Sequence, residues 1–273
     1  MYLIIERMNG KRYKLSKETG YIVLKFRPES IKVTRQRESV SGRPPVSIGT
    51  EIEGRSIHTE ILFTSYDFFD HVLKRNEFFQ ILDSREEFYV ISSEEPGKRW
   101  LVSAEAFTPE PVTMTLGRCE IVLYSESPYA ESIGTTMDPF DFDSDLWQLG
   151  QGLIAEETKY VHNTTSFRIY NAGDVLIDPR CMPLKIKYKG KSNNLTIKNV
   201  TTGDLWSYTG STTTERDVIT LDGVRAYRNV LLGSIFKNTN WGLIRLKPGW
   251  NDFILSGVTG DFKIEFDFRF YYL

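Results

Sequence analysis

The chain has 273 residues, with 34 Lys and Arg against 36 Asp and Glu and a formal net charge of −2. At 40% hydrophobic and 26% charged residues it has globular composition, sized for one large or two medium domains. The charges of both signs are interspersed, which argues against a nucleic-acid or anionic-membrane partner, and no apolar run approaches the roughly 20 residues of a membrane span. Cys119 and Cys181 are too few for a disulfide scaffold and have no metal-ligand spacing, so reduced, semi-buried thiols are expected. Met1 to Asn9 carries Glu6 and Arg7 and lacks the long apolar core of a secretory signal, so synthesis in a cytoplasm without export is expected. The 17 Phe, 14 Tyr and 5 Trp favour strands.

In chain order, Met1 to Arg7 reads as a short strand, and Ile22 to Arg27 follows polar turns at Asn9-Gly10 and Thr19-Gly20. Glu38 to Thr50, rich in Ser, Gly and Pro, reads as a flexible loop or exposed arm. Ile57, Thr59, Ile61 and Phe63 alternate with Ser56, His58, Glu60 and Leu62, which predicts a strand. A helix is expected to start at Thr64 or Ser65, where Thr64 and Asp67 resemble a capping box. Phe69, Val72 and Leu73, then Phe78, Phe79, Ile81 and Leu82, are expected to form its apolar face. Glu87 to Ile91, Arg99 to Ser103 and Cys119 to Tyr124 return to strand character.

Pro128, Gly134, Pro139 and four aspartates interrupt the pattern, so a domain boundary is expected near Gly134, giving domains 1–134 and 135–273. The second domain reads as strands at Ser166 to Tyr170, Leu184 to Tyr188, Asn194 to Val200, Val218 to Leu221, Leu243 to Leu246, Asp252 to Leu255 and Asp261 to Tyr271. Turn signals separate them, Lys189-Gly190, Asp222-Gly223 and Gly257 among them. This spacing predicts a β-sandwich, and the fold class is mainly β with one helix in the first domain. The final strand is the clearest: Phe262, Ile264, Phe266, Phe268 and Phe270 alternate with Asp261, Lys263, Glu265, Asp267 and Arg269.

Little in the chain suggests catalysis. Asp138, Asp141, Asp143 and Asp145 offer hard oxygens for Ca²⁺, but a calcium loop counted from Asp141 has Leu146 at its sixth position and Gly152 at its twelfth. An acidic linker is the simpler reading. His58, His71 and His162 are isolated in sequence, and no glycine pattern cradles a phosphate. No enzyme activity, cofactor or metal is expected. Trp206, Tyr208, Trp241 and Trp250 either pack a sandwich core or form a sugar-stacking platform, core packing being the simpler reading.

A series of turns in the second half is more specific. It runs through Asn171 and Gly173, Pro183 to Gly190, Asn199 with Thr202 and Gly203, Asp222 and Gly223, and Pro248, Gly249 and Asn251, and ends in the Phe-rich strand. In the first half, Gly54-Arg-Ser-Ile57, the Phe-rich helix, Pro96-Gly-Lys-Arg-Trp100 and Pro128-Tyr-Ala130 accompany it. Together these motifs resemble the distal tail proteins of long, flexible-tailed phages that infect Gram-positive bacteria. The resemblance covers nearly the whole chain.

The resemblance implies an N-terminal β domain whose copies form a hexameric ring around the tail channel, and a C-terminal galectin-like β-sandwich pointing outward. The ring would join the tail tube to the tail-tip or tail-associated lysin protein. It would also dock receptor-binding or baseplate proteins, and let DNA pass through its lumen during ejection without specific binding. The protein would then sit at the distal end of the tail in the virion. The loop Arg43, Pro44 and Pro45 is the candidate arm toward a neighbouring subunit or partner. The alternative is a carbohydrate-binding β-sandwich for host cell-wall sugars.

Overall fold

Alternating apolar and polar residues produce strands through most of the chain. The computed structural model describes all residues except 40, 43, 142–145, 155, 157 and 230–232. They form two compact units, Met1–Glu131 with Leu273, and Ser132–Tyr272.

The first unit contains β1 (Leu3–Arg7), β2 (Arg12–Leu15), β3 (Tyr21–Pro28), β4 (Val33–Glu38), β5 (Val46–Ile52), β6 (Arg55–Thr64), α1 (Phe68–Ile81), β7 (Phe88–Ser92), β8 (Lys98–Ala104), β9 (Glu110–Thr113) and β10 (Leu116–Ser125). An antiparallel sheet runs β2-β1-β7-β8-β10-β6-β3, with β9 added to β10. Its buried face carries Ile5, Ile57, Ile61, Phe63, Val90, Val102 and Leu123. The helix lies over β3 and β6: Phe78 stacks on Tyr21 at 5.7 Å and on Phe63 at 6.1 Å, and His71 meets Phe63 at 5.1 Å.

Two expectations for this helix are corrected. Thr64 is the last residue of β6, paired with Leu116, and not a helix cap. The cap is Asp67, whose side chain accepts the Asp70 N–H at 2.8 Å, while Asp70 accepts the Tyr66 N–H at 2.8 Å. Asp is a strong cap because its oxygen satisfies an otherwise unpaired helix N–H. The apolar face also differs: His71, Phe78 and Ile81 are buried, whereas Phe68, Phe69, Leu73 and Phe79 are exposed.

Glu38 to Thr50 is not simply a loop. β4 and β5 pair from Val33↔Ile52 to Glu38↔Val46 as a separate two-stranded ribbon, with a bulge at Gln36/Arg37.

The second unit begins inside the short strand β11 (Ala130–Ser132) and contains β12 (Val161–His162), β13 (Ser166–Asn171), β14 (Leu184–Asn199), β15 (Leu205–Ser207), β16 (Val218–Asp222), β17 (Arg225–Arg228), β18 (Gly249–Phe268) and β19 (Tyr271–Tyr272). β14 and β18 are unusually long, at 16 and 20 residues, and run through positions expected to be turns. Gly190 and Gly257 are bulges within strands. At Gly257 φ is +80°, and a Cβ would lie 2.4 Å from the Asn194 carbonyl oxygen. Glycine alone meets both demands, so the strand bends there without ending.

These bends create two leaves. The first half of β18 pairs with β13 and the end of β14, which pairs with β15. The second half of β18 pairs with β12 and the start of β14, followed by β16 and β17. Their inner faces meet in an aromatic core: Phe266 lies 5.8 Å from Phe167 and 5.0 Å from Phe253. The architecture is a β-sandwich whose leaves share two continuous strands. Leu243 to Leu246 is not a strand, and only Leu246 forms a bridge, to Ile177.

A mostly buried ion pair braces the second leaf. Asp217 accepts from Arg228 at 2.8 Å, from the Thr214 N–H at 2.7 Å and from Asn229 at 2.6 Å. Arg228, and then these hydrogen bonds, hold the Asp217 carboxyl well below the ordinary range against the opposing effect of burial. Because the folded-state pKa is depressed, this stabilisation is complete above the unfolded value of about 3.9 and is lost as pH falls through the folded value. Asp217→Asn is therefore expected to lower stability at pH 7 and to flatten its decline below pH about 4, as read by urea unfolding at both pH values.

Candidate assembly interface

The residues singled out in the second half do not form a surface site. Three buried asparagines among them converge on the segment from Arg245 to Gly249. Asn171 donates to the Leu246 carbonyl at 3.3 Å and to that of Val175 at 3.0 Å, and accepts the Gly173 N–H. Asn199 donates to the Arg245 carbonyl at 2.7 Å and to Asn251 Oδ1 at 3.2 Å. Asn251 accepts the Lys247 N–H at 3.0 Å and donates to the carbonyls of Lys247 and Gly249. Asp204 adds an ion pair to Arg245 at 2.7 Å and accepts its N–H. Side chains thus satisfy backbone groups that a strand ladder would otherwise take, which is why this segment folds without being a strand.

The remaining signature residues occupy the connections around that clamp. Thr202 and Gly203 make the turn after β14, where Asn199 Oδ1 accepts the Thr202 N–H at 3.4 Å. Asp222 and Gly223 join β16 to β17, Pro183 precedes β14, and Pro248 precedes Gly249 at the start of β18. Gly190 lies at the β14 bulge.

The first-half motifs also converge internally. Arg55 lies 5.0 Å over the Trp100 ring and donates to the Pro128 carbonyl at 3.2 Å and to the Glu29 carbonyl. Arg99 pairs with Glu131 at 2.7 Å. These contacts lie inside the first unit, as the asparagine contacts lie inside the second, so candidate assembly surfaces must be sought elsewhere.

Among the described residues, exposed apolar groups include those at three places. The first is the β4–β5 ribbon, where Val33, Val46, Ile48 and Ile52 are 37–63% exposed. Within it Gln36 donates to Glu51 at 2.6 Å, and at its base Lys32 pairs with Glu53 at 2.6 Å. Pro44 and Pro45 lie exposed in its tip, and Arg43 is outside the described residues. The second is the outward side of α1, where Tyr66, Phe68, Phe69 and Leu73 are 63–94% exposed. Sequence reading placed Phe69 and Leu73 inward. The doublets Phe68-Phe69, Val72-Leu73 and Phe78-Phe79 carry the missed signal, because neighbours on a helix cannot share one face. The third is Trp241, 67% exposed and stacked on Phe236 at 5.7 Å.

The other aromatics named from sequence do not join Trp241. Trp206 and Tyr208 are buried, and Trp250 lies between Tyr170 and Arg168. Asp138 is occupied by the Thr135 N–H and hydroxyl, Asp141 is exposed, and Asp143 and Asp145 lie outside the described residues. Among the described residues, no three His, Cys, Asp or Glu side chains cluster so as to hold a metal ion. His58 meets Glu29 at 2.6 Å on the surface, His71 is buried under α1, and His162 stacks on Phe167 at 4.4 Å. Cys119 is buried, and burial pushes its thiol up to about 12. Cys181 is exposed, not semi-buried, because it sits in the turn before β14.

No curated protein matches the chain by sequence. Residues 2–125 match the family described as phage tail protein RIFT-related domain. Among solved structures, the chain is similar to the Dit protein (gp 19.1) of phage SPP1, described as a paradigm of the hub adsorption apparatus in phages infecting Gram-positive bacteria. The likeness has a TM-score of 0.67 at 13% identity, covering 98% of this chain and 99% of the other. A chain of the phage p2 baseplate in its activated conformation aligns over 98% and 97% at 10% identity, with a TM-score of 0.45. Residues 2–125 are thus similar to the phage tail protein RIFT-related domain family, and the chain as a whole has the fold of the SPP1 Dit protein.

Proposed function

We propose that this protein is a structural hub at the distal end of a phage tail. Six copies form a ring through the first unit, the ring joins the tail tube to the tail-tip and baseplate or receptor-binding proteins, and DNA leaves through its lumen. The observation that carries the reading is the whole-length likeness to the SPP1 Dit fold, together with the tail-protein domain at residues 2–125. In this reading the protein performs no catalysis, and the domain at 1–134 builds the ring while 135–273 faces outward. Gold-labelled antibody against the protein is expected to decorate only the tail's distal end. Label along the tube or on the capsid would overturn the assignment.

The ribbon is the arm of this reading. A two-stranded ribbon is marginal alone, and this one leaves four apolar side chains in water. Deleting 39–48 is expected to abolish ring assembly and tail joining while leaving the melting of the first unit within a few degrees. Normal tails from the deletion would show that the ribbon is not an arm.

A second reading, a carbohydrate-binding module, is favoured by the exposed Trp241 on its Phe236 support. It requires that a cell-wall polysaccharide quench tryptophan fluorescence in the native protein and not in Trp241→Ala.

A further inference from the structure

One surface tryptophan has a backbone conformation that bulky residues avoid. Trp241 has φ +58°, in the left-handed region. The other non-glycine residues with positive φ, Asn194 and Asn229, are of a type that tolerates it. The neighbours of Trp241 hold it there. Asn240 accepts the Ser207 N–H at 2.9 Å and the Gly242 N–H at 3.2 Å, and donates to the Leu205 carbonyl at 2.9 Å. Gly242 has no room for a side chain, because a Cβ would run into that same carbonyl. The indole is fixed as well: its N–H donates to the Phe236 carbonyl at 3.1 Å, and the ring lies within 5° of parallel to that of Phe236. Burial does not offset the strain, since Trp241 is 67% exposed. Strain kept at an exposed position points to a ligand.

A cavity of about 20 Å³ opens beside the indole, room for a single methyl-sized group. Ile186, Trp206, Leu221 and Ile244 give it apolar walls, and Trp241 and Arg225 also line it. Arg225 is exposed, and its guanidinium makes no hydrogen bond or ion pair among the described residues. A guanidinium only donates, so it calls for an acceptor on the ligand. We infer that Trp241, Arg225 and this cavity form a binding site for an N-acetylated hexosamine. The apolar side of the sugar ring stacks on the indole, the acetyl methyl enters the cavity, and the acetamido carbonyl accepts from Arg225. A plain hexose has no methyl group for the cavity, and a carboxylate or phosphate would engage the arginine but leave the cavity empty. This rests on the carbohydrate-binding reading above and names its sugar; it is compatible with the hub reading and does not depend on it.

The test titrates the full chain with triacetylchitotriose, with its N-propionyl analogue and with cellotriose, followed by tryptophan fluorescence. Triacetylchitotriose is expected to bind about tenfold more tightly than either of the others, since the propionyl group overfills the cavity and cellotriose leaves it empty. Trp241→Gly and Arg225→Ala are each expected to weaken that binding about tenfold. Glycine suits φ +58°, so Trp241→Gly is expected to melt no lower than the native protein, which separates loss of the ligand from loss of the fold. Equal binding of the three sugars, or binding that survives Trp241→Gly, overturns the acetyl site. Cell-wall polysaccharide that quenches through Trp241, with no response to triacetylchitotriose, overturns this inference and leaves the carbohydrate reading standing. No response to the polysaccharide or to any of the three sugars overturns both.

Discussion

Removal of residues 266–273 is expected to unfold the second unit. Phe266, Phe268, Phe270, Tyr271 and Tyr272 are all at most 5% exposed. At about 1.5–3 kcal/mol for each buried large apolar side chain, their burial contributes on the order of 10 kcal/mol, comparable to the whole stability of a typical domain. The loss is also polar. Thr136 donates its hydroxyl to the Phe266 carbonyl at 2.6 Å and accepts the Phe268 N–H at 3.1 Å, and the Ser132 N–H reaches the Phe270 carbonyl at 2.8 Å. Truncation strips these partners from groups that stay buried. Near-UV circular dichroism and calorimetry check the outcome: the transition of the second unit disappears while that of the first remains. Phe266→Ala is the milder version, with a cost of about 3–5 kcal/mol. An unchanged melt in the truncated protein would show that the last strand is dispensable.

Asn251→Asp is the second large effect. The change is nearly isosteric, so it isolates hydrogen bonding from packing. Asn251 is fully buried, and its Nδ2 donates to the carbonyls of Lys247 and Gly249. A carboxylate there would place oxygen against two carbonyl oxygens and bury a charge without a cation. Each orphaned buried group costs about 1–3 kcal/mol, and the uncompensated charge adds more, so a loss of about 4 kcal/mol or greater is expected at pH 7. The sign with pH is fixed by the same burial. The new carboxyl would have a raised pKa, so the variant's deficit shrinks as pH falls and the group becomes neutral. Chemical denaturation at pH 7 and pH 5 measures both. A deficit below about 1 kcal/mol, independent of pH, would mean the asparagine clamp does not hold the Arg245 to Gly249 segment.

The β character of the chain was legible because one-sided burial leaves a period-two record. Ile57, Ile61 and Phe63 in β6 and Ile264, Phe266 and Phe268 in β18 are buried on schedule. Glycine was the main source of misreading. The same residue marks a chain reversal at Gly203 and a bulge at Gly257, both with φ near +80°, and only the partner strand tells them apart. Leu243 to Leu246 has strand composition, but buried asparagines from distant positions take up its neighbouring backbone groups, which no local pattern records. The exposed apolar surfaces were harder still. Pro44 and Pro45 pointed to an exposed segment, but the pairing of β4 with β5 and the outward aromatics of α1 depend on what the rest of the unit leaves uncovered.

These exposed surfaces are where the chain's stability and its proposed role part company. The signature turns and the Arg55–Trp100–Pro128 contact hold each unit in shape, so their loss should unfold the protein. The ribbon's apolar side chains are exposed in the single chain, so in the proposed role their loss should spare the fold and cost assembly.

Light scattering on size-exclusion fractions, with negative-stain images of the main peak, tests the central claim most directly. Six chains of 31.5 kDa predict a species of about 189 kDa with ring-shaped particles and a central channel. A protein that remains at 31.5 kDa at all concentrations, alone and when mixed with its tail partners, would contradict the account.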